Sequence, residues 1–206
     1  RIGAFMRLPS SRPSDHATAG RILDIAERLV QTRGFNGFSY ADVSAELHMT
    51  KASLHYHFRT KADLGASLVT RYNDTFQAAL DGIDADGHDP REKLRRYVQL
   101  YSEVVHRNRI CLCGMLASDY ATLPKGMRDL VNRFFDANET WLSRVLEEGR
   151  KTRTLRFSGT ATDVARALVA SLEGAMLVAR AYGDASRFDS VSAQLLAQLE
   201  GGGARR

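Results

Sequence analysis

Apolar residues recur along most of this chain with the spacing of a single helical face, and they do not alternate as they would on a half-buried strand. Ile22, Leu23, Ala26, Leu29 and Val30 fall at i, i+1, i+4, i+7 and i+8. Asp15 or Thr18 is placed to start that helix, and Gly34 to end it in a left-handed conformation. Phe35 and Phe38 can plug the junction that follows. Two much shorter pieces come next. Ser39 is a suitable N-cap, its hydroxyl free to accept from first-turn amides, ahead of Val43 and Leu47. Thr50 offers a second cap ahead of Lys51-Ala52-Ser53-Leu54-His55-Tyr56-His57. Helices below ~12 residues are marginal in water, so both short ones need the first long helix as support. A fourth helix runs from Lys61 to about Leu80 on Leu64, Leu68, Tyr72, Phe76 and Leu80, and Gly82 to Pro90 reads as a polar break.

Beyond the break, Pro90 opens a fifth helix through Leu94, Tyr97, Val98, Tyr101 and Val105. A short helix across Leu112, Met115, Leu116 and Ala117 ends before Leu123-Pro124. A long one from about Gly126 carries Leu130, Val131, Phe134, Trp141, Leu142 and Val145 to Gly149. The eighth, Ala161 to Tyr182, is rich in small residues, with Gly174 in its middle; a mid-helix glycine costs ~1 kcal/mol unless close packing compensates. The ninth, Ser186 to about Leu199, repeats Phe188, Val191, Leu195, Leu196 and Leu199. The pattern predicts an all-α protein of about nine helices.

The two short helices are the informative stretch. Met49, Leu54 and Phe58 are available to bury against Val43 and Leu47, which leaves polar and small side chains facing water. Two short helices joined by a turn, the second presenting small and hydrogen-bonding residues, form the helix-turn-helix pattern whose second helix enters a DNA major groove. The candidate DNA-contacting set is Ser39, Tyr40, Thr50, Lys51, Ala52, Ser53, His55, Tyr56, His57 and Lys61. Ala52 and Ser53 permit close approach, Lys51 and Lys61 can meet phosphates, and Tyr56 and His57 can donate to phosphates or base edges.

Leu23-Asp24-Ile25-Ala26 through Arg33-Gly34-Phe35, Val43, then Thr50 through Phe58 and Lys61-Ala62-Asp63-Leu64 together resemble the TetR family of transcriptional regulators. The resemblance covers roughly residues 20 to 70. It departs from the family at His55, where tyrosine is usual. It implies a helix-turn-helix domain over residues 15–60 and a ligand-binding and dimerisation domain over 61–200, with the fourth helix as the lever between them. It also implies a homodimer through the last two helices, a palindromic double-stranded operator, and repression relieved by an unidentified small-molecule effector. Tyr101, Met115, Tyr120, Phe134, Trp141 and Met176 are the candidate effector-pocket residues, each equally suited to filling core.

Composition narrows the alternatives. At 206 residues, 44% hydrophobic and 26% charged, the chain is long enough to bury a substantial core. No apolar run approaches the ~18 residues of a membrane span, and no signal-peptide hydrophobic region is evident, so the expected location is the cytoplasm. The net charge is +5, and residues 1–65 hold nine Lys/Arg against six Asp/Glu, a tilt toward the helix-turn-helix end. No nucleophile-base-acid set and no phosphate-binding glycine loop appears, so no enzyme and no cofactor is expected. His55 and His57 point to different sides of a helix and cannot share a metal. Cys111-Leu112-Cys113 is a poor zinc site without further ligands, so no metal is expected. It leaves a thiol sensor of electrophiles or oxidants as the alternative reading, with Arg107 and Arg109 placed to depress the pKa of Cys111; packing at a helix start is the other role open to it. A DNA-architectural protein without a ligand is a further possibility. Residues 1–14 read as a disordered arm or as residues foreign to the protein, with Arg1, Arg7 and Arg12 able to reach a minor groove, and 201–206 as a flexible tail.

Overall fold

The structure is a computed structural model that describes residues 13–201; the proposed N-terminal arm up to Arg12, and the tail beyond Gly201, lie outside the described residues. Among those described there are nine α-helices, one 3₁₀ turn and no strand. The first four are α1 (Pro13–Arg33), α2 (Tyr40–Leu47), α3 (Lys51–His57) and α4 (Lys61–Ala85). Helix α1 begins at Pro13, two residues before Asp15.

The head is α1, α2, α3 and the first turns of α4, closed over Ile22, Ala26, Leu29, Val30, Val43 and Leu54. Gly34 sits at φ +79°, ending α1 as the sequence indicates. At the start of α2 the Ser39 hydroxyl donates to Asp42 Oδ2 at 2.6 Å, and the Ser39 amide donates to the same oxygen at 2.7 Å. The cap is therefore reinforced by Asp42 rather than by the serine acting alone. His48, at φ 53°, ends α2, and the Thr50 hydroxyl accepts from Ser53 N to begin α3. Thr60 and Asp63 form the capping box that begins α4.

The remaining helices are α5 (Pro90–His106), α6 (Leu112–Ser118), α7 (Lys125–Lys151), α8 (Ala161–Tyr182) and α9 (Ser186–Gly201), with the 3₁₀ turn Tyr120–Thr122 between α6 and α7. Helix α4 does not stop near Leu80. It runs to Ala85, into the first part of the expected polar break, because Ile83 is buried and the Asp84 carboxylate is anchored: Oδ2 accepts from Trp141 Nε1 at 3.0 Å and from Arg144, and Oδ1 faces Lys93 Nζ at 3.3 Å. The break itself is confined to residues 86–89. Helix α9 takes in Gly201, which the sequence assigns to a tail. Phe188 and Leu199, expected on an intermolecular face, are buried within the protomer.

Where α4 passes from head to bundle, Gly65 permits the contact, since an added Cβ would lie 2.6 Å from Met127 Cε and 2.8 Å from Phe35 Cε2. Gly65→Ala should cost about 1–3 kcal/mol in urea unfolding. Gly82→Ala, at an open helical position with nothing within 4 Å, should instead stabilise by roughly 0.5–1 kcal/mol.

Candidate functional site

Helix α3 presents Lys51, Ala52, His55 and Tyr56 to solvent, while Leu54, followed by Phe58 at its C-cap, anchors it to the head. Tyr56 is 75% exposed and lies edge-on to His57, with ring centroids 5.3 Å apart. Ser53 and His57 are half-buried, and Ser39 and Thr50 are exposed caps at the N-termini of α2 and α3. The face between them carries one cation, two small side chains and hydrogen-bonding rings, which is the chemistry a groove-reading helix needs.

Besides the capping hydroxyls of Ser39 and Thr50, three members of the candidate set are already engaged. Lys61 Nζ donates to Phe35 O at 2.6 Å and to Phe38 O, and lies 4.7 and 4.3 Å from the centroids of those two rings. Burial lowers its pKa, opposed by the charges of Asp119 and Asp42. This withdraws Lys61 from the phosphate-facing role expected of it: it ties together the two carbonyls of the α1–α2 turn. Tyr40 donates to Phe58 O at 2.8 Å, and burial followed by the Asp63 charge pushes its phenol up to about 12. His55 packs against Tyr40 with ring centroids 4.8 Å apart, and its Nδ1 lies 2.9 Å from Arg59 O, so its Nε2 edge is the one left for a ligand.

The head is bound to the bundle at three further points that the sequence did not reveal. Asp119, the C-cap of α6, accepts from Phe35 N at 2.7 Å and Asn36 N at 3.3 Å, while Asn36 Nδ2 donates to Thr122 Oγ1 at 2.8 Å. Arg180 of α8 donates to the α1 carbonyls Gln31 O, at 2.9 Å, and Thr32 O. A guanidinium at a helix C-terminus also meets the negative end of the helix dipole. Arg180 and Arg109 line a cleft of about 270 Å³ beside Val105, Met176 and Ala179. On the other side, Arg71 of α4 donates to Asp24 at 2.7 Å and to Glu27 at 2.8 Å.

The candidate pocket residues divide. Tyr101, Phe134 and Trp141 come together with Tyr72, Phe76 and Tyr97 in one aromatic cluster, with Trp141 stacked on Tyr97 at 5.6 Å and Phe76 edge-on to Phe134 at 5.1 Å. Tyr97 donates to Asn138 Oδ1 at 2.8 Å, and its hydroxyl lies 3.1 Å from that of Tyr101. Met176 is buried on α8, in the wall of the 270 Å³ cleft. Met115 packs at the Gly34 turn, away from the cluster, with Cε 3.7 Å from where a Cβ on Gly34 would sit. Tyr120 is exposed, accepts from Asn132 Nδ2 at 3.2 Å and lies beside Arg128, which removes it from the pocket set.

At the centre of this core lies a group missed on the sequence, Glu173 of α8. Both of its carboxylate oxygens are buried without a hydrogen-bonding N–H or O–H among the described residues. Its charge acts on Tyr72 of α4, Tyr97 and Tyr101 of α5, and Cys111 and Cys113 at the start of α6. Burial raises Glu173 to about 7, offset in part by the Cys111 thiol. The signal was present: a lone acidic residue on the apolar stripe Val169, Leu172 and Met176. Cys111 and Cys113 are both buried free thiols, and burial and then Glu173 push both pKa values up, the reverse of the depression expected from Arg107 and Arg109. Tyr72 donates to Cys111 Sγ at 3.7 Å. Among the described residues no three His, Cys, Asp or Glu groups are arranged to hold a metal ion.

The outer face of α8 and α9 is apolar and open. Leu177, Val178 and Tyr182 are 47, 50 and 66% exposed, and Val191 of α9 is 41% exposed beside them. Among the described residues nothing outside its own helix backbone lies within 4 Å of a Cβ on Gly174, so close packing within the chain does not require glycine there. No helix among the described residues is long and apolar enough to cross a membrane.

Residues 22–68 match the family described as bacterial regulatory proteins, tetR family, and residues 90–195 match the tetracyclin repressor-like C-terminal domain. A crystal structure of a TetR-family transcriptional regulator from Agrobacterium tumefaciens superimposes with a TM-score of 0.87 at 34% identity, covering 90% of this chain and 99% of that one. A TetR transcriptional regulator from Legionella pneumophila gives 0.80 at 29% identity, covering 93% and 100%. The HTH-type transcriptional repressor NemR of Escherichia coli K12 is 25% identical over 174 residues, 82% of this chain and 87% of its own length.

The buried carboxyl has a measurable consequence. Between the ordinary carboxylate value and about 7, the native state holds a proton that the unfolded chain has already released, so Glu173 makes stability fall as pH rises through that window. Glu173→Gln should raise stability at about pH 8 by a few kcal/mol, since each tenfold change in proton affinity is worth about 1.4 kcal/mol. It should also flatten the pH dependence between about pH 5 and 8 in chemical denaturation. Superimposable pH profiles for the two proteins would mean that the carboxyl is not desolvated.

Proposed function

The chain belongs to the tetR family of bacterial regulatory proteins, and on that premise we propose that it is a homodimeric repressor released from a palindromic operator when a small molecule enters the C-terminal bundle. It is a DNA-binding transcriptional regulator and not an enzyme. The observation that carries the fuller reading is the exposed face of α3: Lys51, Ala52 and Tyr56 have no structural duty in the head, while the side chains behind them are fixed by buried contacts. A recognition helix enters the major groove by its N-terminal residues, so Lys51 reaches phosphate while Ala52 and Ser53 lie against base edges.

The open strip of Leu177, Val178, Tyr182 and Val191 supports pairing of α8 and α9 with a second copy, a self-complementary two-fold interface. Two heads then read two half-sites, which makes the operator a palindrome. The name of the relative NemR, a transcriptional repressor, supports repression as the direction. Effector action follows from the same contacts. Helix α6 touches Glu173 at one end and holds the α1–α2 turn through Asp119 at the other, so a ligand that moves α6 changes where the head sits. Such a ligand acts only through different affinities for the two head positions. Burial of both thiols leaves the thiol-sensor alternative without an accessible, activated cysteine.

Fluorescence anisotropy with the palindrome upstream of the chain's own gene tests this reading. Lys51→Ala should reduce the slope of log affinity against log salt by about one for each lysine removed. Lys61→Ala should leave the slope unchanged and lower the melting temperature of the head. Val178→Glu should yield a monomer in sedimentation and weaken operator binding by about tenfold or more, from the loss of the second half-site. Binding no tighter than to random duplex would remove the basis of the repressor reading.

A further inference from the structure

Reading the bundle as an effector domain leaves the effector without a chemistry, and Glu173 supplies one. A desolvated carboxylate needs a proton or a counter-charge, and a buried polar group without a partner calls for a specific explanation. What acts on Glu173 is burial and the Cys111 thiol, with no cation to offset its charge. The groups around it on α4, α5 and α6 are phenols and thiols, whose pKa values are all raised. No neighbouring basic side chain is therefore available to form an ion pair.

We propose that Glu173 is the recognition group for a cationic effector: a small amine whose N–H groups donate to the two free carboxylate oxygens and whose apolar body lies among Tyr72, Phe76, Tyr97, Tyr101 and Phe134. The proposal rests on the effector-domain reading and extends it. Ring faces carry negative potential and attract a cation desolvated beside them, so this cluster favours an ammonium over a neutral or anionic head. A neutral alcohol would fill one acceptor position and leave the charge unbalanced. A carboxylate ligand would add a second buried negative charge to the first.

The nearest opening to the cluster is a cleft of about 200 Å³ between α4 and α7, walled by Phe76, Phe134 and Leu80, with Asn73 and Asn138 in it. One acid and one base, Asp74 and Arg133, are on its lining, so the cleft itself is neutral in charge and selection for a cation falls to Glu173. Both asparagines lead to the polar core: Asn73 Oδ1 lies 4.0 Å from Cys113 Sγ, and Asn138 accepts from Tyr97. The far side of Glu173 is closed by α6, which approaches as near as glycine allows: a Cβ on Gly114 would lie 2.2 Å from Glu173 Oε2. A ligand seated on the carboxylate therefore bears on the helix that ends at Asp119.

Trp141 is the only tryptophan in the chain and stacks in this cluster, so its emission reports on the site. The protein is titrated at about pH 8, where Glu173 is ionised, with 2-phenylethylamine, benzylamine and, under excitation selective for indole, tyramine. The neutral 2-phenylethanol and the anionic phenylacetate serve as isosteres, and calorimetry gives an independent affinity. At least one amine should bind wild type saturably and bind Glu173→Gln roughly 10- to 100-fold more weakly. Glu173→Asp, which keeps the charge on a shorter arm, should fall between the two. The alcohol should bind weakly and equally to wild type and Glu173→Gln, and phenylacetate should not bind wild type better than the amines. Amine affinity unchanged in Glu173→Gln, with a cooperative melt showing that variant folded, would overturn the inference. So would the absence of any saturable amine signal in wild type. Operator anisotropy on the same samples separates the two levels: specific operator binding without Glu173-dependent amine binding sinks the inference alone, whereas wild type that fails to bind its operator specifically sinks the regulator reading.

Discussion

The turn between α1 and α2 cannot close itself. After Gly34 the backbone amides of Phe35 and Asn36 point away from any helical partner, and the carbonyls of Phe35 and Phe38 are left facing an apolar junction. Asp119 reaches across from the end of α6 to take the two amides, and Lys61 reaches back from the start of α4 to take the two carbonyls. Unmet polar groups at a half-buried turn each cost on the order of 1–3 kcal/mol, so these two side chains decide whether the turn has one shape or several. Helices α2 and α3, eight and seven residues long, take their position from that turn and from α1. The pose of the DNA-reading helix is thus set partly by a residue belonging to the bundle.

Helix α8 carries the buried carboxyl, a contact to the head and an exposed apolar strip because its sides do different things. Its inner face carries Glu173 and Met176 into the core, Arg180 near its end caps α1, and Leu177 and Val178 look outward. A change at Glu173 is one turn from Met176 and two turns from Arg180 on the same helix. Under the proposed function, effector, head and partner subunit would all be read by this one helix. The aromatic cluster beside it is packed ring on ring, and close-packed cores change between discrete arrangements rather than over a continuous range, which suits the proposed effector response.

Much of this architecture is legible in the sequence because it depends on local rules. The ends of α1, α3 and α5 follow from Gly34, Thr50 and Pro90, and the helix-turn-helix follows from two caps flanking short apolar stripes. What was not legible depends on contacts across the fold. Lys61 looks like any basic residue beside a DNA-reading helix; only the folded turn shows its ammonium held by two carbonyls. Asp84 looks like part of a polar linker until Trp141, Arg144 and Lys93 converge on it. Phe188 and Leu199 share a stripe with Val191, yet the stripe faces inward at its ends and outward in its middle. Tyr120 has the composition of a pocket residue and the position of a surface one. Glu173 was marked only by being acidic on an apolar face, and its importance comes from what surrounds it. The thiols next to it mislead for the same reason, since two arginines close in sequence are outweighed by burial and a carboxylate close in space.

If the bundle fixes the separation of the two heads through Asp119, that separation must change when Asp119 is removed. Pulsed electron resonance on dimers spin-labelled at Ala52→Cys measures it, since Ala52 is exposed and the native thiols are buried. The expected result is a narrow inter-head distance distribution in the otherwise wild-type protein, which broadens and shifts in Asp119→Ala while α8 and α9 keep the dimer intact. Identical distributions in the two proteins would show that the head takes its position from α1 and α4 alone, and would contradict a bundle-set head.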